Sequence, residues 1–165
     1  MNTAYLGLGS NLGNRLAFLR SGRDTLTDGS DIVLLQAAGI YETEAIGGPP
    51  DNPKFLNTVL AIETTLDPRQ LLARCLAVED EFGRSRPVRW APRTLDIDIL
   101  LYADRVVCEE DLVIPHPRLQ ERAFVLAPLQ EIAAAFRHPV LEQTIRELAA
   151  GSEDVTALQP LHSHW

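Results

Sequence analysis

Apolar residues recur along this chain at two periods, and the places where the period changes divide it into elements. Ala4 to Leu8 is a short apolar run that predicts a strand, followed by a turn at Gly9-Ser10-Asn11-Leu12-Gly13-Asn14. Leu16, Leu19, Arg23 and Leu26 then fall at helical spacing. Ile32 to Leu35 and Ile40 to Thr43 predict a second strand, bent near Gly39. Gly47-Gly48-Pro49-Pro50 and Asn52-Pro53 exclude regular structure between Glu44 and Pro53 and predict a mobile loop. Leu56 to Thr65 predicts a strand with Leu56, Thr58, Leu60 and Ile62 on one face and Asn57, Val59 and Ala61 on the other.

Asp67-Pro68-Arg69-Gln70 carries the signals of a helix start: a capping aspartate, a proline suited to the first turn, and a glutamine at capping-box spacing. The helix continues through Leu71, Leu72, Cys75, Leu76, Glu79 and Phe82 and stops at Gly83. An arginine-rich loop, Arg84 to Arg93, leads into an apolar strand from Leu95 to Tyr102. Asp104-Arg105 turns the chain into a short strand at Val106-Val107, and Ile114-Pro115-His116-Pro117 breaks regular structure. Short helices are predicted at Phe124 to Ile132 and at Leu141 to Ala150, the second closed by Gly151. The residues from about Gln159 to Trp165 predict a frayed tail. The order β-α-β-β-α-β suggests an α/β sandwich, and no repeat or linker divides it, so residues 1–165 are expected to form a single domain.

The strand after the arginine loop carries the chemistry. Asp96 and Asp98 are two apart and therefore share a face, followed there by Leu100 and Tyr102, while Leu95, Ile97, Ile99 and Leu101 line the other. A strand apolar on both faces belongs inside a layered fold. Two carboxylates at its start are costly to bury without a cation. Arg84, Arg86, Arg89 and Arg93 lie just upstream, and arginine suits bidentate recognition of phosphate. Carboxylates beside arginines suggest a Mg²⁺-phosphate site.

Charge sharpens this picture. The chain has 23 acidic against 15 basic residues, a net charge of −8, and its single lysine is Lys54. Clustered arginines in an acidic protein point to an anion held locally, and the overall sign argues against a nucleic-acid or membrane-surface binder. No apolar run is long enough to span a bilayer and no signal core follows Met1. Cys75 and Cys108 are isolated, with neither zinc-site nor disulfide spacing. A reduced, cytoplasmic setting and a monomer are expected.

Other motifs are weaker alone. Gly7-x-Gly9 lacks the third glycine of a dinucleotide fingerprint, Leu12 standing there, and no glycine precedes Lys54 at Walker A spacing. A structural role is the better reading of that turn. Phe55 and Asn57 share a strand face, a ring beside a carboxamide that suits a flat heterocycle. Taken alone, a core phenylalanine and a strand-start asparagine are the better reading of the pair. Phe124, after Arg122-Ala123, is similarly ambiguous. His116, between two prolines with Arg118 nearby, suits a phosphate contact or a backbone-satisfied loop position.

Taken together, Gly9-Ser10-Asn11-Leu12, Phe55-Leu56-Asn57, Gly83-Arg84-Ser85-Arg86, the run Arg89-Trp90-Ala91-Pro92-Arg93-Thr94-Leu95-Asp96-Ile97-Asp98, Ile114-Pro115-His116-Pro117 and Arg122-Ala123-Phe124 resemble the 6-hydroxymethyl-7,8-dihydropterin pyrophosphokinases of folate biosynthesis. The likeness runs from Tyr5 to about Leu148. It implies a three-layer α/β/α sandwich with a ferredoxin-like core and mobile active-site loops. It also implies transfer of diphosphate from ATP to the pterin hydroxymethyl group with release of AMP.

By the same resemblance, Asp96 and Asp98 are the expected ligands of two Mg²⁺ ions, and Arg84 and Arg93 the expected phosphate clamps and catalytic arginines. Phe55 and Phe124 correspond to rings that sandwich the pterin, with Asn57 and Thr43 reading its edge. Glu79, His116 and Arg122 correspond to positions at ATP, and Trp90 to a residue that closes over the site. Ala91 departs from the usual glycine of that loop and tolerates positive φ poorly. Phe55 lacks the hydroxyl of some relatives' tyrosine. Ala123 replaces a frequent glycine, and Pro117 an aromatic. A Mg²⁺-dependent nucleotide hydrolase on the same carboxylates is the alternative enzyme, though it needs no paired rings. A non-catalytic binding module leaves the acid pair beside the arginines unexplained.

Overall fold

The computed structural model describes residues 1–83 and 93–165. Arg84 and Trp90, expected at the site, and the neighbouring loop arginines fall outside the described residues. The chain is a mixed α/β fold built on an antiparallel sheet. β1 (Asn2–Ser10) leads to α1 (Arg15–Leu26), then β2 (Ile32–Ala37), β3 (Tyr41–Thr43) and β4 (Phe55–Thr64). α2 (Pro68–Glu81) and β5 (Asp96–Tyr102) follow. The sheet order is β2-β4-β1-β5, with β3 also paired to β4, and every pairing is antiparallel. Beyond the sheet come a hairpin of β6 (Val107–Glu109) and β7 (Leu112–Ile114), a 3-10 turn at Leu119–Glu121, and the helices α3 (Ala123–Ala133), α4 (Ile145–Ala150) and α5 (Glu153–Ala157).

Local chemistry sets the helix ends. Asn14 accepts from the Ala17 amide at the start of α1. Asp67 and Gln70 form a reciprocal capping box on α2, at 2.8 and 2.9 Å, with Pro68 in the first turn. Gly83, at φ +75°, lies just past the end of that helix, where a side chain would be strained.

The alternation along the strands sends side chains to two separate cores. Ala4, Leu6, Leu8, Leu56, Leu60 and Ile62 pack with Leu19 and Leu26 of α1 and Leu71, Cys75 and Val78 of α2. Tyr5, Val59 and Ala61 pack with Val125, Leu126 and Leu129 of α3, Ile145 and Ala149 of α4, and Val155 of α5. Helices therefore cover both faces of the sheet.

Three expectations are corrected. β5 does not alternate strictly. Its register on β1 jumps so that Leu6 opposes Ile99 and Tyr5 opposes Leu101, leaving Leu100 as an extra residue. This bulge leaves Leu100 on the α3 side with the acids, as expected, but puts Leu101 there beside it and turns Tyr102 to the opposite core, reversing the predicted faces of those two residues. The helix expected from Leu141 starts at Ile145. Thr144 and Glu147 form its capping box, while the preceding chain turns around His138.

The tail is not frayed. Ile40 donates its amide to the His162 carbonyl at 2.7 Å and accepts from the Leu161 amide. The Trp165 indole donates to Ala38 O at 2.8 Å under the Arg23 guanidinium, 4.7 Å from the ring centre. Among the described residues no helix is long and apolar enough to cross a membrane.

Candidate active site

The sheet face that bears α3 opens at one end into a cavity of about 340 Å³. Its floor follows from register. Gly9 of β1 opposes Asn57 of β4 on one side and Asp96 of β5 on the other, and Gly7 opposes Asp98. The two glycines leave the middle of this row without side chains, between the carboxamide and the two carboxylates. At Gly9 the space is fully used. A β-carbon there would lie 3.0 Å from Asn57 Oδ1 and 3.5 Å from the Phe55 ring. The Gly7-x-Gly9 segment is thus part of the cavity wall, contrary to the structural reading of that turn.

One half of the cavity suits a flat, hydrogen-bonding ligand. Phe55, Asn57, Thr43 and Phe124 line it together with Gly9. Asn57 donates through Nδ2 to the Thr43 hydroxyl at 2.7 Å. That bond orients the carboxamide and leaves Oδ1 beside Gly9 as an acceptor. Phe124 enters from the first turn of α3, with the Arg122 guanidinium 5.6 Å from its ring centre.

The other half is charged. Asp96, Asp98, Arg93, Arg118, Glu121 and Arg122 all contribute to the wall. Arg93 Nη1 lies 2.8 Å from Asp96 Oδ2, both side chains partly buried. Burial lowers the Arg122 pKa, partly offset by the Asp98 carboxylate, and Arg118 adds to the lowering. A partly desolvated guanidinium in such a position favours an anionic ligand.

His116 and Glu79 stand outside the cavity lining. His116 Nδ1 accepts from the Arg118 amide at 3.1 Å, so the neutral ring carries its proton on Nε2. Burial lowers its pKa, with Asp98 opposing and Arg122 and Arg118 reinforcing that shift. Glu79, 1% exposed, accepts from the Ile97 amide at 2.7 Å. Ile97 separates the two aspartates, so Glu79 holds the acid strand from behind.

Sequence reasoning did not find Asn52, Glu44 and Glu121 on the wall, or the contacts of Asn11, whose Oδ1 accepts from the Arg93 amide at 2.7 Å and whose Nδ2 donates to the Pro53 carbonyl at 3.1 Å. The signal for Asn11 was its place in Gly9-Ser10-Asn11, a polar residue directly after an apolar strand.

Two side-by-side carboxylates fit Mg²⁺, which binds through one or two carboxylates and completes its shell with water and substrate phosphates. Among the described residues no group of three or more acidic, histidine or cysteine side chains could hold a metal alone. The donor set therefore suits an ion that arrives with phosphate.

Comparisons with known proteins identify the family. The family model described as 7,8-dihydro-6-hydroxymethylpterin-pyrophosphokinase matches residues 5–134. The chain is 45% identical over 131 residues to the 2-amino-4-hydroxy-6-hydroxymethyldihydropteridine pyrophosphokinase of Bacillus subtilis, covering 79% of this chain and 78% of the relative. It is 43% identical to the Methylorubrum extorquens protein of the same name, covering 91% and 93%. Among solved structures, Plasmodium falciparum HPPK-DHPS with pteroate superposes with a TM-score of 0.70 at 16% identity, over 89% of this chain. The match spans 43% of that longer chain and carries the fold alone. With a matching family model over most of its length and relatives above 40% identity, the chain belongs to the 7,8-dihydro-6-hydroxymethylpterin-pyrophosphokinase family.

Proposed function

We infer that this protein is an ATP-dependent pyrophosphokinase that transfers diphosphate to the hydroxymethyl group of 6-hydroxymethyl-7,8-dihydropterin in folate biosynthesis and releases AMP. The observation that carries this reading is a single cavity holding the Phe55–Asn57–Thr43–Phe124 set at one end and Asp96, Asp98, Arg93 and Arg122 at the other. In a member of this family, those halves suit a pterin and a nucleotide phosphate. We read the sheet with helices on both faces as a three-layer α/β/α sandwich with a ferredoxin-like core. With the short β3 set aside, the order β1-α1-β2-β4-α2-β5 and the β2-β4-β1-β5 sheet support that reading.

The chemistry requires little covalent help from the protein. The substrate hydroxyl oxygen bonds to the β-phosphorus of ATP, and the bond from that phosphorus to the α–β bridging oxygen breaks. AMP leaves with the electron pair, and the hydroxyl proton passes to solvent. What the protein supplies is alignment and charge. Phe55 and Phe124 stack the pterin, and Asn57, held by Thr43, reads its edge. Arg93 and Arg122 hold phosphate oxygens, with Arg84 and His116 assigned to the same end by the family pattern. Glu79 supports this end through Ile97, behind the carboxylates. Trp90 is assigned to loop closure on the family pattern alone. Asp96 and Asp98 would hold the expected two Mg²⁺ ions, which when bound neutralise phosphate charge.

The deciding experiment incubates the protein with Mg²⁺ and ATP, with and without the pterin, and separates the nucleotides. AMP formed only with pterin, alongside pterin diphosphate, is the expected result. ADP as the main product, or equal AMP without pterin, overturns it. A monomeric cytoplasmic enzyme completes the proposal, and sedimentation of the purified chain tests the oligomeric part.

A further inference from the structure

Tyr41 is 5% exposed and packs in the α3 core, and its hydroxyl finds an acceptor on α3 itself. It donates to Glu131 Oε1, while the Gly39 amide donates to Glu131 Oε2 at 3.1 Å. One carboxylate therefore receives two donors from the bend that leads into β3. Burial raises the Tyr41 pKa, and the hydrogen bond to Glu131 and its charge raise it further, so the hydroxyl stays protonated as the donor. Gly39 marks a close approach. A β-carbon there would lie 3.3 Å from Glu131 Oε1 and 3.1 Å from the His162 carbonyl.

Both ends of this link lead to the aromatic half of the cavity. Tyr41 and Thr43 share a face of β3, where they oppose Asn57 and Phe55. Glu131 follows Phe124 on α3 by about two turns, roughly 10 Å, so both project from the same side of the helix. Phe55 stands on the sheet and Phe124 on the helix, and both line the cavity. Between sheet and helix, the apolar contacts of Val125, Leu126 and Leu129 set the spacing without direction. Two hydrogen bonds that converge on one carboxylate are directional, and they resist sliding or rotation of the helix over the sheet.

We propose that Tyr41 and Glu131 are positioning residues that pin α3 to β3 and so fix the gap between the Phe55 and Phe124 rings, making the pocket selective for a flat pterin over one puckered by further reduction. The proposal rests on the functional reading above. A 7,8-dihydropterin has a single saturated carbon in its second ring, at C7. The 5,6,7,8-tetrahydro form is saturated at C6 as well and is thicker. A pinned gap admits the first and must be forced open by the second, whereas an unpinned gap widens for either.

The test measures the affinities of 6-hydroxymethyl-7,8-dihydropterin, its tetrahydro counterpart and a non-hydrolysable ATP analogue in the wild type, Glu131→Ala, Glu131→Gln and Tyr41→Phe, beside thermal melts. Glu131 is exposed, so Glu131→Ala opens no core cavity. Glutamine keeps both contacts, since its amide oxygen accepts from Gly39 and its NH2 group donates to the Tyr41 oxygen. The wild type should prefer the dihydropterin by at least about tenfold, within the range that pocket shape supplies. Glu131→Ala and Tyr41→Phe should lower that preference to within about threefold, while Glu131→Gln retains it and affinity for the ATP analogue stays within about threefold throughout. No preference in the wild type, a preference kept in Glu131→Ala, or Glu131→Gln as relaxed as Glu131→Ala overturns the proposal. So do melts that fall while every ratio stays unchanged, the mark of a contact that serves folding alone. If the Glu131 variants fail to fold, Tyr41→Phe, which keeps the buried ring, decides on the same ratio. A wild type that forms no AMP with pterin sinks the functional reading and this inference together. A wild type that turns over while Glu131→Ala keeps its preference sinks this inference alone.

Discussion

The guanidinium of Arg93 lies 2.8 Å from the carboxylate of Asp96, so one of the site's two acids is already neutralised by a residue facing the phosphate end. Asp96→Asn and Asp98→Asn should each raise the barrier to turnover by more than about 3 kcal/mol, the scale of a lost electrostatic stabiliser. Their stabilities should differ. Asp96→Asn loses a partly exposed ion pair and should cost about 0–1 kcal/mol, whereas Asp98→Asn relieves carboxylate repulsion and should be neutral or stabilising. Turnover at saturating Mg²⁺, beside thermal melts, checks both. Near-normal rates in both variants would remove the metal assignment.

The aromatic pair should matter to one ligand. Phe55→Ala and Phe124→Ala are each expected to weaken pterin binding by about 1–3 kcal/mol, the range for stacking of a base on an aromatic ring. The ATP analogue should be affected far less. Equal losses for both ligands, measured by separate titrations, would mean that the rings serve packing.

Gly9→Ala offers a sharper probe of the floor. Its β-carbon would crowd Asn57 Oδ1 at 3.0 Å, so the carboxamide must give way from the Thr43 hydroxyl or from the ligand. Pterin affinity should drop at least about tenfold, equal to about 1.4 kcal/mol, with the melting temperature nearly unchanged. Calorimetric titration at wild-type affinity would show that the floor has slack.

His138 predicts a pH effect remote from the site. Its Nδ1 accepts from the Val140 and Leu141 amides at 3.2 and 3.0 Å, which a protonated ring cannot do. Burial holds its folded pKa below the ordinary 6.5. The unfolded chain therefore takes up the proton first. This contribution to stability is complete above pH 6.5 and is lost as pH falls toward the folded value. His138→Phe removes the acceptor and should cost about 1–3 kcal/mol at neutral pH. The variant should also flatten the acid limb of the stability curve. Parallel curves for variant and wild type would exclude His138 as its source.

The docked tail should contribute to stability. Trp165→Ala removes the bond to Ala38 and the contact with Arg23 and should cost about 1–3 kcal/mol, less than a fully buried tryptophan. Denaturant titration showing no loss would mean that the tail is held without it.

What the sequence revealed follows the range of each interaction. The Asp67–Gln70 capping box, the Gly83 stop and the shared face of Asp96 and Asp98 were readable because all their partners lie within a few residues. The tail misled because Trp165 finds Ala38, 127 residues away, and nothing local announces it. Asn11 was visible only as part of a motif, since its partners are distant in sequence. The helix at Ile145 was extended too far upstream because Val140 and Leu141 are apolar. Both are exposed on a turn held by His138.

The extra residue in β5 has a consequence for how this strand can be altered. Before Leu100 the chain presents its acids to the ligand; after it, Tyr102 faces the opposite side and its hydroxyl donates to the Leu66 carbonyl at 2.6 Å. The strand behaves as two modules joined by a frame shift. Deleting Leu100 would restore flat pairing without exchanging the sides of Leu101 and Tyr102, because their partners Tyr5 and Ala4 already fix them. A graft of the acid pair into another sheet can therefore end at Ile99 and leave the host's own core pattern in force.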